Sequence, residues 1–89
     1  MSTKKQRHKL FKDTLISLPM SQGGLAKWMY QEDTKLTRKY VSRKNTGEVA
    51  VTTSDTALLQ VLRILDEDGY DLKSVEFSDS GDIINLEKK

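Results

Sequence analysis

The stretch that decides the reading of this chain runs Ser21-Gln22-Gly23-Gly24-Leu25-Ala26-Lys27-Trp28-Met29-Tyr30, then through Gln31 to Lys35, then Leu36-Thr37-Arg38-Lys39-Tyr40-Val41-Ser42-Arg43-Lys44-Asn45. Ser21 is a preferred N-cap, because its hydroxyl can accept from the unbonded N–H groups of the turn that follows. Met20 and Leu25 flank it at the N′ and N4 positions of a hydrophobic staple, the pair that sets a helix's entry angle. The spacing predicts a second helix from Ser21 onward, with Leu25, Ala26, Trp28 and Met29 on its buried side. Gly23 and Gly24 lower its intrinsic stability by roughly 1 kcal/mol each, and close helix packing is the expected reason for them. Gln31 to Lys35 are all polar and read as a turn. Leu36 and Thr37 then supply a buried residue and a cap for a third helix over about Arg38 to Asn45, closed by Asn45-Thr46-Gly47.

Working outward, Phe11, Leu15 and Leu18, with Leu10 and Thr14, repeat at the spacing of one helical face, which predicts helix 1 over about Lys5 to Leu18 before Pro19 stops it. Residues 1–7 hold nothing apolar after Met1 and are expected to form a flexible basic arm. Downstream, Val49 to Val51 return to the core, and Thr53 or Ser54 caps helix 4 from Asp55 to Asp68, with Gly69 closing it. Val75 and Phe77 alternate with polar residues, Asp79 to Asp82 are turn-forming, and Ile83, Ile84 and Leu86 follow, the pattern of a short β-hairpin over residues 73–89. Two strands are not stable alone in water, so the hairpin must pack on the helices or pair with a second copy as a dimerisation element. The expected fold is mainly α, four helices over residues 8–72 followed by this hairpin.

Eighty-nine residues allow one small domain, and a chain of this size gains from a second copy or a bound partner. A charged fraction of 31% and a hydrophobic fraction of 36% describe an ordinary globular chain. The absence of cysteine removes disulfides, thiolate metal sites and cysteine nucleophiles. The longest apolar runs are too short for a membrane span, so no membrane partner is expected and the chain is placed in the cytoplasm of a bacterial host cell or at its nucleoid. His8, the single histidine, has no nucleophile motif around it and is expected to be an exposed helix residue. In the acidic run Asp66 to Asp71 the glycine, Gly69, falls in the wrong place for a calcium loop and the twelfth position is Phe77 instead of glutamate, and Gly23-Gly24 follow no strand. No catalysis, cofactor, metal or small-molecule substrate is expected.

Charge is unevenly placed. Residues 1–47 carry eleven Lys or Arg against three acids, a net +8, and residues 48–89 carry four against ten, a net −6. A basic half of this kind suits a polyanion, and double-stranded DNA is the leading candidate partner. Two helices joined at a sharp turn, the second loaded with Arg38, Lys39, Ser42, Arg43, Lys44 and Asn45, meet the requirement for reading DNA through a helix laid in the major groove.

In these residues the chain resembles the λ-repressor-like helix-turn-helix family of small phage transcriptional regulators. Ser21-Gln22 with Leu25-Ala26 resemble the opening of that family's second helix, and Leu36 to Arg43 its turn and recognition helix, with Val41 at the buried position. Asn45 to Gly47 and Ala57-Leu58-Leu59 match the spacing to its next helix, and Met1 to Lys5 resemble its basic arm. Lys44 stands where the family has an apolar residue. The resemblance implies base reading by Arg38, Lys39, Ser42 and Arg43, and backbone contacts from Gln22, Lys4, Lys5, Lys44 and Asn45. The expected function is a phage-type repressor that reads an inverted repeat through helix 3, as a homodimer expected from the small size of the chain and from its tail. The rival expectation is a small protein-binding inhibitor or antitoxin, anti-CRISPR-like or a DNA mimic, acting through the acidic C-terminal half. The discriminating observation is whether the basic residues stand on an open face.

Overall fold

Each of the four helices begins at a hydroxyl. In a computed structural model, which describes residues 3–89, Thr3 accepts from the Gln6 amide and starts α1 (Lys4–Ser17), and Ser21 accepts from the Gly24 amide and starts α2 (Gln22–Tyr30). Thr34 accepts from the Thr37 amide and starts α3 (Lys35–Thr46), and Thr52 accepts from the Asp55 amide and starts α4 (Thr53–Glu67). At Thr3, Thr34 and Thr52 the bond is reciprocated by the side chain three residues on, so two otherwise orphan N–H groups are satisfied at each start. A 3₁₀ turn, Leu72–Ser74, leads to the strands β1 (Glu76–Phe77) and β2 (Ile83–Asn85), paired antiparallel.

The molecule is thus a small helical bundle with a two-stranded sheet. Its α2 packs chiefly on α3 and its α1 on α4, with α1 also touching α3. Phe11, Leu25, Val41 and the pair Leu59 and Leu62 bring one fully buried contribution from each helix, and Val75 adds one from the tail. Helix α1 turns Phe11, Thr14, Leu15 and Leu18 inward and leaves Leu10 at its margin. Trp28 is buried and donates from Nε1 to the Leu72 carbonyl at 3.0 Å, while the Phe77 ring stands edge-on to it with centroids 5.8 Å apart. The Asp71 amide donates to Glu87 and the Lys89 amide to Gly69, both at 2.8 Å, so the tail is stitched to its own chain.

Four sequence boundaries move. Lys4 to Arg7 form the first turn of α1 instead of a flexible arm; Met1 and Ser2, the rest of that expected arm, lie outside the described residues. Arg7 donates from Nε to the Val51 carbonyl at 2.9 Å, which binds the helix start to the loop before α4. Helix α3 begins three residues before the expected start, because Thr34 takes the capping role assigned to Thr37. Thr37 is buried, and its hydroxyl donates to the Glu32 carbonyl at 2.9 Å. Helix α4 likewise begins at Thr53, capped by Thr52. The border expected between residues 72 and 73 falls inside the 3₁₀ turn, and Leu72 and Val75 belong to the same core as the helices.

The end of α3 is tied to the start of α4 by one ion pair. Lys44 Nζ lies 2.5 Å from Asp55 Oδ2, with only 14% and 12% of the two side chains exposed, and the same carboxylate oxygen accepts the Thr52 amide at 2.9 Å. Gly47 closes α3 at φ 84, a backbone region open to glycine, and a Cβ there would meet the His8 ring at 3.1 Å. His8 Nε2 lies 2.8 Å from the Asn45 carbonyl, one of the acceptors that a helix end leaves unpaired. The single histidine is therefore half-buried at a junction instead of exposed.

Lys44→Met should leave a largely buried carboxylate without its cation and cost about 1–3 kcal/mol in urea unfolding, below the ~3–5 kcal/mol of a fully buried pair. The double variant Lys44→Met with Asp55→Asn should lose less than the single one. Trp28→Phe leaves the Leu72 carbonyl unpaired and should cost about 1–3 kcal/mol. Hydrogen exchange should show its largest loss of protection in the amides of residues 71–89.

Candidate functional site

The outward face of α3 follows from its inward one. Thr37 and Val41 are buried and Lys44 turns to Asp55, so at 100° per residue the opposite ridge holds Lys35, Lys39, Ser42 and Thr46. Lys35, Lys39 and Thr46 are exposed and Ser42 is half-exposed. Among the described residues neither lysine on this ridge has an ion-pair partner. Leu36 sits at the rim of the ridge, 57% exposed, in an open depression that it lines with Lys35 and Lys39.

The two flanks are built differently. On one, Arg38 Nε meets Asp33 Oδ1 at 2.7 Å, an exposed pair held over the start of α2. Gly23 makes room for it, since a Cβ at that position would lie 2.8 Å from the Asp33 carboxylate. On the other flank the Tyr40 ring packs at a tilt on Tyr30, centroids 5.6 Å apart, and Arg43 reaches Glu48 at 3.4 Å. The connection between α2 and α3 is four residues long, and Gln31, its first, takes φ 63, the left-handed turn that reverses the chain sharply.

The residues assigned to base reading therefore divide. Lys39 and Ser42 stand on the ridge, whereas Arg38 and Arg43 lie beside it, each engaged by an exposed acid. Among those assigned to backbone contacts, Gln22 is the half-exposed first residue of α2. Lys44 is not available to a ligand: it faces inward in the Asp55 pair, because α3 needs its 44th position for the junction with α4. Asn45 is half-buried at the same junction, with its Oδ1 enclosed and its carbonyl held by His8, which removes it from an outer surface.

Lys4 and Lys5 occupy a second place. They are exposed on the first turn of α1 and line, with His8, Gly47 and Val49 to Val51, an open depression of about 390 Å³ beside the C-terminal end of α3. The first turn of α1 contains no acid, so its free N–H groups and two lysines form one positive edge. The basic half thus presents two cationic surfaces, a ridge on α3 and the edge of α1.

Leu36, expected to be a buried residue ahead of the helix, is instead exposed in its first turn, and Lys35 was read as part of the preceding turn, because the cap was placed at Thr37. The signal was present in Thr34, which stands three residues before a second hydroxyl. Among the described residues no group of three or more His, Cys, Asp or Glu side chains is placed to hold a metal ion, and no helix is long and apolar enough to cross a membrane. The arrangement offers cations, hydroxyls and one apolar side chain on the exposed face of α3, groups suited to binding an anionic polymer. No family model, curated protein or solved structure matches this chain.

Proposed function

We propose that the protein is a dimeric, sequence-specific DNA-binding regulator of the λ-repressor-like helix-turn-helix kind, a repressor of a phage-type promoter, with α3 as its reading helix. The observation that carries this reading is the open ridge of Lys35, Lys39, Ser42 and Thr46 on a helix set apart from α2 by a four-residue turn. A reading helix meets base edges through its N-terminal residues, which here are Lys35, Leu36 and Lys39. Arg38 and Arg43 reach DNA by exchanging a surface carboxylate for a base edge or a phosphate. Lys4 and Lys5 neutralise backbone charge from the α1 edge. In a two-fold dimer the half-site centres lie about one helical turn, ~34 Å, apart.

Selection of bound sequences from random duplex DNA at two salt concentrations tests the reading. A palindromic consensus with affinity that falls steeply as salt rises is expected. Absence of any enriched sequence overturns it and favours the other class of function, in which the exposed acids Glu76, Asp79, Asp82 and Glu87 of the tail engage a protein. On the selected duplex, Lys39→Ala and Arg38→Ala should each lose roughly 1–3 kcal/mol and relax the preferred sequence. Lys5→Ala should weaken selected and random duplexes about equally and flatten the salt dependence. Equal losses on both duplexes for all three variants would contradict the assigned roles.

A further inference from the structure

Leu36 is held at the surface, where the fold makes no use of it. It is the second residue of α3, 57% exposed, and it stands outside the hydrophobic core and outside the partly buried side chains packed against that core. Its companions in the same depression are Lys35 and Lys39, both exposed and, among the described residues, without an ion-pair partner. At 100° per residue it lies about 60° around the helix from Lys39, on the flank that continues to Tyr40 and Arg43. The first turn of α3 contains no acid, although the positive end of a helix favours one. An apolar tip bordered by unpaired cations, on a helix start cleared of negative charge, fits a partner whose own apolar group is set among anions and acceptors.

Duplex DNA offers such a group. The C5-methyl of thymine stands in the major groove beside the O4 acceptor, and the groove is walled on both sides by phosphates. We infer that Leu36 is a specificity-determining residue that reads a thymine methyl in each half-site, with Lys35 and Lys39 donating to the acceptors and phosphates around it. The inference rests on the DNA-binding reading and narrows it to one base. A lysine is a compact charge on a flexible stem that serves a phosphate as well as a base acceptor, so the two lysines select weakly by themselves. The leucine supplies the selection. A cytosine in that place presents no methyl to Leu36 and turns an amino donor toward two cations, a mismatch in both respects. Negative charge on both walls of the groove is also the arrangement that a leucine flanked by two unpaired lysines requires.

The test uses the full chain and the duplex recovered from random-sequence selection, with each thymine replaced singly by deoxyuridine, a change that removes the C5-methyl and keeps every hydrogen-bonding group. In each half-site one thymine is expected at which the replacement lowers affinity about fourfold, the worth of one methyl group withdrawn from water. Leu36→Ala should bind the thymine and deoxyuridine duplexes equally at that position, at about the affinity of the unaltered chain for the deoxyuridine duplex, and Leu36→Met should restore the difference. Lys39→Ala should bind both duplexes more weakly and keep the ratio between them. Because Leu36 is exposed, circular dichroism should report the same helix content in its variants. A selected site with no thymine sensitive to the replacement, or a sensitivity that Leu36→Ala leaves intact, overturns the inference while the DNA-binding reading stands. A selection that enriches no sequence overturns both, so the two failures are told apart.

Discussion

The pair between Lys44 and Asp55 is the constraint on which the arrangement of this molecule turns. It gives α3 a fixed rotation about its own axis: with position 44 committed inward beside Thr37 and Val41, the remaining cations must point away from the body. It also joins two elements through a capping residue, since Asp55 holds the Thr52 amide with the oxygen that holds Lys44. A leucine at position 44 could pack the same side of α3, but it would leave the start of α4 without this tether. An ion pair that is largely withdrawn from water is costly to form, and its value lies in allowing one geometry where a greasy contact would allow several.

A second tether works at the other end of the same loop. Arg7 and His8, one turn into α1, engage the Val51 and Asn45 carbonyls, so the segment between α3 and α4 is held from both sides. The residues of this junction come from positions far apart in the chain, and none contributes to the ridge directly. Their effect is orientation: α1 supports the far end of α3 while Thr34, Thr37 and the Glu32 carbonyl secure the near end. A helix clamped at both ends presents its outer side chains at low conformational cost to whatever meets them.

What was legible in the sequence was local. Pro19, the Ser21 cap and the apolar repeat of α1 and α4 act within a turn or two of themselves, and each marks its element close to where the structure has it. The start of α3 was ambiguous because Thr34 and Thr37 are both good caps. The contest is decided by the burial of Thr37 against the turn, which a local reading does not contain. Lys44 and His8 misled for a related reason. Their partners lie 11 and 37 residues away, and a lysine among lysines carries no mark of facing inward. The acidic counterparts of Arg38 and Arg43 were closer, Asp33 and Glu48 each lying five residues from its arginine, yet both sit beyond the ends of the helix, and Glu48 already belongs to the acidic block of the sequence.

The exposed contact between Arg38 and Asp33 gives the molecule an internal competitor. An anion that takes the Nε edge of this guanidinium must displace a carboxylate already at 2.7 Å, so its gain there is the difference between two similar contacts. A loosely fitting site offers a single oxygen and returns almost nothing on the exchange, whereas one that accepts both arms of the guanidinium returns a surplus. An arginine with an incumbent partner thereby discriminates by geometry, where a bare one would attach to negative charge of any shape. Gly23, whose missing Cβ leaves space for Asp33, is the residue that keeps this filter in place.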